Sequence, residues 1–101
     1  MNINKIDKVL RVLAANNLDA VDAAILARVA ETAQRRGEGT VMKVVADCLW
    51  IASRQTALNH INKLLCMEIL TKNADIAENQ RFKSLGLGAA YLQLLNELRA
   101  T

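Results

Sequence analysis

The 101-residue sequence predicts a small, mainly α domain with one β-hairpin (α+β), and three observations carry that expectation. Apolar residues make up 52% of the chain but aromatics only 3%, so the core has to be built from Leu, Ile, Val and Ala, which favours helices over a β-sandwich. Five stretches repeat apolar residues at three and four positions. Between the fourth and the fifth the pattern changes to two short strand-like runs around a polar loop.

The first helix is predicted over Ile3 to Ala15, where Ile3, Ile6, Val9, Leu10 and Leu13 share a face and Lys5, Asp7, Lys8 and Arg11 stay outside; Asn16 and Asn17 end it. A second runs from Leu18 to Arg36, with Asp19 as N-cap, Asp22 as its capping-box partner, and Ile25, Leu26, Val29 and Ala33 as the apolar face. Arg35, Arg36 and Gly37 form a basic last turn and a glycine stop. Thr40 to Met42 reads as a short extended piece, Lys43 to Trp50 as a third helix, and Ile51 and Ala52 as a turn. Ser53 caps a fourth helix, in which Ala57, Leu58, Ile61, Leu64 and Leu65 face inward. Ile69 to Lys72 and Gln80 to Leu87 are the strands, Asn73 to Asn79 the loop between them, and Ala89 to Ala100 the last helix. With no proline, repeat or low-complexity segment, the chain reads as one domain over 1–101: an N-terminal helix in 1–17, a helix-turn-helix with a hairpin in 40–88, and a C-terminal helix in 89–100. A helix-turn-helix followed directly by a β-hairpin is the winged-helix arrangement.

A net charge of +3 suits an anionic partner. Cys48 and Cys66 lie 18 positions apart with no further ligand at metal spacing, so both read as reduced, core-lining thiols. The start MNINKIDKVL lacks the apolar run of a targeting segment, and no stretch is long enough to span a membrane; a cytoplasmic protein is expected. No nucleophile with its base, no paired carboxylates and no phosphate-binding glycine loop can be assembled, so neither an enzyme nor a cofactor or metal is expected. The lone His60 has no partner at ligand spacing and reads as packed or phosphate-proximal.

The segment SRQTALNHINKLLCMEIL resembles the second helix of winged helix-turn-helix regulators, through Ser53, Thr56, Ala57, Ile61, Leu64, Ile69 and Leu70. The segment NQRFKSLGLGAAYLQLL resembles the wing of the MarR family, through Asn79, Arg81, Lys83, Ser84, Leu85 and Leu87. Asn79 stands where that pattern has an acidic residue, Gly88 where it has a helix-capping Thr, and Glu68 where it has a glycine. The resemblance implies a transcriptional regulator of double-stranded DNA, in most such proteins a homodimer.

Residue chemistry agrees with that implication. At 100° per residue, Gln55, Thr56, Asn59 and Lys63 project from the fourth helix with Asn62 at the margin, and amides, Lys and a Thr methyl can all read base edges. Ser53 opens a helix N-terminus that can receive a phosphate, and Lys43 and Arg54, unfavourable for helix stability at helix starts, suit phosphate contacts. Lys72, Arg81 and Lys83 make the hairpin basic, with Arg81 suited to a narrow minor groove. Ile3, Ile6, Leu10 and Leu13, with Leu92, Leu95 and Leu98, are spaced for helix pairing and are the expected dimer residues. The alternative is a protein-interaction module on the same fold, an adaptor or an inhibitor of a host enzyme or polymerase, consistent with so modest a charge; a replication-initiator or partition domain is a third.

Overall fold

A computed structural model describes residues 2–33, 39–73 and 84–100. The elements are α1 (Ile3–Ala15), α2 (Ala20–Thr32), α3 (Val41–Asp47), α4 (Arg54–Cys66), β1 (Leu70–Asn73), β2 (Ser84–Leu87) and α5 (Ala89–Ala100). The mainly helical α+β expectation is borne out. No helix among the described residues is long and apolar enough to cross a membrane.

The first four helices each begin where a short polar side chain can occupy an orphan backbone donor. Asn2, Asp19, Thr40 and Ser53 cap α1, α2, α3 and α4 in turn. At α2 the capping box is reciprocal: the Asp22 amide donates to Asp19 Oδ1 at 3.1 Å, and the Asp19 amide donates to Asp22 Oδ2 at 2.9 Å. The cap at Thr40 corrects the expected extended piece. Its hydroxyl accepts from the Lys43 amide at 3.3 Å, so the helix starts at Val41, and Thr40 alone bridges to Ser84. The third helix also stops earlier than expected, at Asp47, with Cys48 to Ala52 forming the turn. Likewise α2 ends at Thr32, and the basic, glycine-containing stop expected near Gly37 lies outside the described residues.

Two helices stop through the same device. After α1 the Leu18 amide donates to the Leu13 carbonyl at 2.8 Å and the Asn17 amide to Ala14 at 3.1 Å; after α4, Ile69 donates to Leu64 at 3.0 Å and Glu68 to Leu65 at 3.1 Å. These are paired Schellman closures, and they force Asn17 (φ 60°) and Glu68 (φ 62°) into the left-handed region. In both, the residues flanking the turn, Leu13 with Leu18 and Leu64 with Ile69, are buried.

The core lies where α2, α3, α4 and the hairpin meet, around Ile25, Val29, Val44, Ile61, Leu64 and Leu85. β1 and β2 pair antiparallel with Leu70 opposite Leu87 and Lys72 opposite Leu85. Gly88 sits against the end of α4: a Cβ there would lie 2.0 Å from the Glu68 carbonyl oxygen, so only glycine fits. α1 packs beside α5, and Asn16 Nδ2 donates to both the Val12 carbonyl at 2.8 Å and Glu97 Oε2 at 2.9 Å.

Candidate nucleic-acid interface

The α3–turn–α4 unit presents one flank of α4 to solvent. Ala57, Ile61 and Leu64 are buried, and Gln55, Asn59 and Asn62 are exposed at positions four and three apart, forming a single row along the helix. Gln55 Nε2 donates to Asn59 Oδ1 at 3.0 Å, so two amides of the row are already aligned with one another. Exposed amides of this kind offer a donor and an acceptor each, the chemistry needed to read an adenine edge.

At the start of α4, Ser53 and Thr56 are both exposed and engage each other. The Thr56 amide donates to Ser53 Oγ at 3.2 Å, and Ser53 Oγ lies 2.9 Å from Thr56 Oγ1. Arg54 is exposed in the first turn of α4, and Lys43 is exposed in the first turn of α3. Lys72 is exposed on β1. Arg81 and Lys83 lie outside the described residues.

Lys63 departs from the expected outward orientation. Its Nζ lies 2.6 Å from Asp22 Oδ2 and donates to the Asn17 carbonyl at 3.3 Å, which turns it toward α2 and away from the amide row. Asn62, expected at the margin, is exposed on the row instead. Cys66, expected in the core, is exposed one further turn along the same flank, whereas Cys48 is buried. Burial, reinforced by the neighbouring Asp47 charge and partly opposed by Arg28, pushes the Cys48 thiol up.

Asp22 is the residue that sequence reading undervalued. It was legible as a capping partner, yet it also shares the three-four spacing of Ile25, Leu26 and Val29, which was the available sign that it is buried. Its exposure is 0%. Besides Lys63, it meets His60, whose Nδ1 lies 2.7 Å from Asp22 Oδ1. Burial raises the pKa of this carboxyl, but hydrogen bonds from Lys63, His60 and the Asp19 amide, with the Lys63 charge, outweigh it and hold the group below the ordinary carboxylate value. Asp19, Asp22 and His60 have donor atoms within 4.8 Å of one another, a spacing that could in outline hold a cation. The Lys63 ammonium already supplies positive charge there.

The expected dimer residues divide by burial. Leu13 and the neighbouring Leu94 are buried, Leu95 and Leu98 are half-buried, and Ile3, Ile6, Leu10 and Leu92 are exposed. α1, α2 and the turn before α4 enclose an apolar groove of about 790 Å³, lined by Ile6, Leu10, Ala23, Ala27, Trp50 and Ile51 among others. Trp50 at its rim is 76% exposed.

No protein-family model and no curated protein matches the chain. Among solved structures, a point mutant of S. aureus MepR bound to an oligodeoxyribonucleotide is similar, with a TM-score of 0.73 at 15% identity over 96% of this chain and 67% of that one. A second MepR point mutant gives a TM-score of 0.64 at 15% identity over 93% of this chain. This chain spans 65% of its length, so about a third of that structure has no counterpart here. The fold is therefore the winged helix of MepR, consistent with the MarR-like pattern seen in the sequence.

Proposed function

We propose that the protein is a sequence-specific, double-stranded DNA-binding transcriptional regulator that acts as a repressor by occupying promoter DNA. The observation that carries this reading is the exposed row of Gln55, Asn59 and Asn62 on the second helix of a helix-turn-helix, in a fold shared with a DNA-bound MepR. In this reading α4 enters the major groove, where the amide row meets base edges. Lys43, Ser53 and Arg54 meet the flanking phosphates, the exposed Thr56 offers its methyl to a base edge beside the row, and the hairpin segment bearing Lys72, Arg81 and Lys83 lies over the minor groove. Lys63 contributes charge behind the row rather than a base contact.

The exposed Ile3, Ile6, Leu10 and Leu92 support pairing of two copies through α1 and α5, since several large apolar side chains left exposed on two packed helices of a small domain call for a cover. Two recognition helices would then meet half-sites about 34 Å apart. The protein works in the cytoplasm, where promoter DNA is reached, and needs neither a cofactor nor catalysis.

Selection of duplexes from a random pool at low salt, followed by gel shift, tests the reading. Enrichment of a common sequence, lost on Asn59→Ala, is the expected result. A protein that retains no duplex at micromolar concentration would instead be a protein-interaction module, a second reading favoured by the apolar groove and the exposed Trp50.

A further inference from the structure

We propose that Asp22 is the positioning residue of this interface: a buried carboxylate on α2 that grips α4 through His60 and Lys63 and thereby fixes the rotation of the Gln55, Asn59 and Asn62 row. The inference rests on the DNA-reading function above and adds to it the residue on which base discrimination depends.

The other attachments of α4 are apolar. Ala57, Ile61 and Leu64 hold the helix down, but packing of aliphatic groups is non-directional and resists a small roll about the helix axis weakly. Among the described residues, the directional side-chain ties from α4 to the rest of the domain all run to the α1–α2 corner. His60 and Lys63 take one carboxylate oxygen each, at 2.7 and 2.6 Å, and Lys63 also donates to the Asn17 carbonyl. The carboxylate is itself held by the Asp19 amide at 2.9 Å, so it cannot turn to follow a rolling helix.

Geometry makes this matter. Side-chain tips lie about 6 Å from a helix axis, so a roll of about 20° carries them about 2 Å sideways. Hydrogen bonds to base edges tolerate only a few tenths of that displacement. Phosphate contacts by flexible basic side chains survive it. Loss of the grip is thus expected to blur sequence discrimination while general affinity for duplex DNA persists.

The test compares wild type with Asp22→Asn, which keeps the shape and removes the charge, and with Lys63→Met, which keeps the stem and leaves Asp22 in place. Affinity is measured for a duplex enriched from a random pool by the wild type and for a scrambled duplex, on protein shown to be folded by circular dichroism. The expected result is that the ratio of the two affinities falls about tenfold in both variants, with scrambled-duplex binding within about twofold of wild type for Asp22→Asn. A merely structural role would scale both affinities by the folded fraction and leave the ratio alone. An unchanged ratio in a folded variant overturns the proposal, and Lys63→Met decides it if Asp22→Asn does not fold. If the wild type enriches no sequence, the DNA reading fails on its own, and amide dipolar couplings of α4 then decide the positioning claim: an unaltered helix orientation in the variants overturns it.

Discussion

Glu68 holds a left-handed backbone at φ 62°, a conformation that costs an ordinary residue about 1–2 kcal/mol and glycine little. Glu68→Gly is therefore expected to stabilise the protein by about 0.5–1 kcal/mol, after the greater unfolded-state freedom of glycine is offset. Urea unfolding measures this directly; a lower midpoint for the variant would contradict it. The sequence marked Glu68 as a departure from the glycine of similar proteins without accounting for it, because a helix stop is made by backbone closure and leaves no trace in the side chain. The two thiols differ as well. Cys66 is expected to react with a thiol reagent in the folded protein and Cys48 only after unfolding. A bulky maleimide on Cys66, on the flank of the amide row, should weaken duplex binding at least about tenfold if that flank meets DNA. The exposure of Cys66 was obscured by the general burial habit of free cysteine, although its place seven positions from Asn59 and four from Asn62 puts it on the same flank.

At the scale of elements, the periodic helices were the most legible. α1 and α5 match the expected spans, and α4 ends where its apolar spacing ends. The misplaced boundaries fall where a side chain competes with the pattern, as at Thr40, whose cap starts a helix in a Thr-Val run that otherwise reads as extended. Lys63 departs from its helical angle for a related reason: that angle places it near the outward flank, but its long stem reaches a buried carboxylate that periodicity along one helix cannot reveal. The tie between α2 and α4 has a pH signature. Because Asp22 is more acidic folded than unfolded, its contribution is fully present above the ordinary value near 3.8 and is lost as pH falls through the lower folded value. Asp22→Asn is expected to cost about 3 kcal/mol at neutral pH, and the gap from wild type should narrow below pH 3.8. Denaturant titrations at a series of pH values check both the size and the sign.

For the whole molecule, a packed core coexists with the apolar surface left on α1 and beside Trp50. Leu10→Glu, at a half-exposed site on α1, should leave the monomer folded and shift sedimentation from dimer to monomer. Wild type sedimenting as a monomer at tens of micromolar would remove the pairing of half-sites. The junction of α4, β1 and α5 has a consequence for how the chain tolerates change. There the Gly88 amide donates to Ile69 at 2.8 Å, the Ala90 amide donates to Glu68 at 3.2 Å, and the Glu68 carbonyl fills the space beside Gly88. The obstacle at Gly88 is main chain, which no substitution at Glu68 can remove. Gly88→Ala should cost about 3 kcal/mol whatever stands at position 68. A saturation library would then find position 68 permissive and position 88 closed, so two residues that touch would show opposite histories of variation.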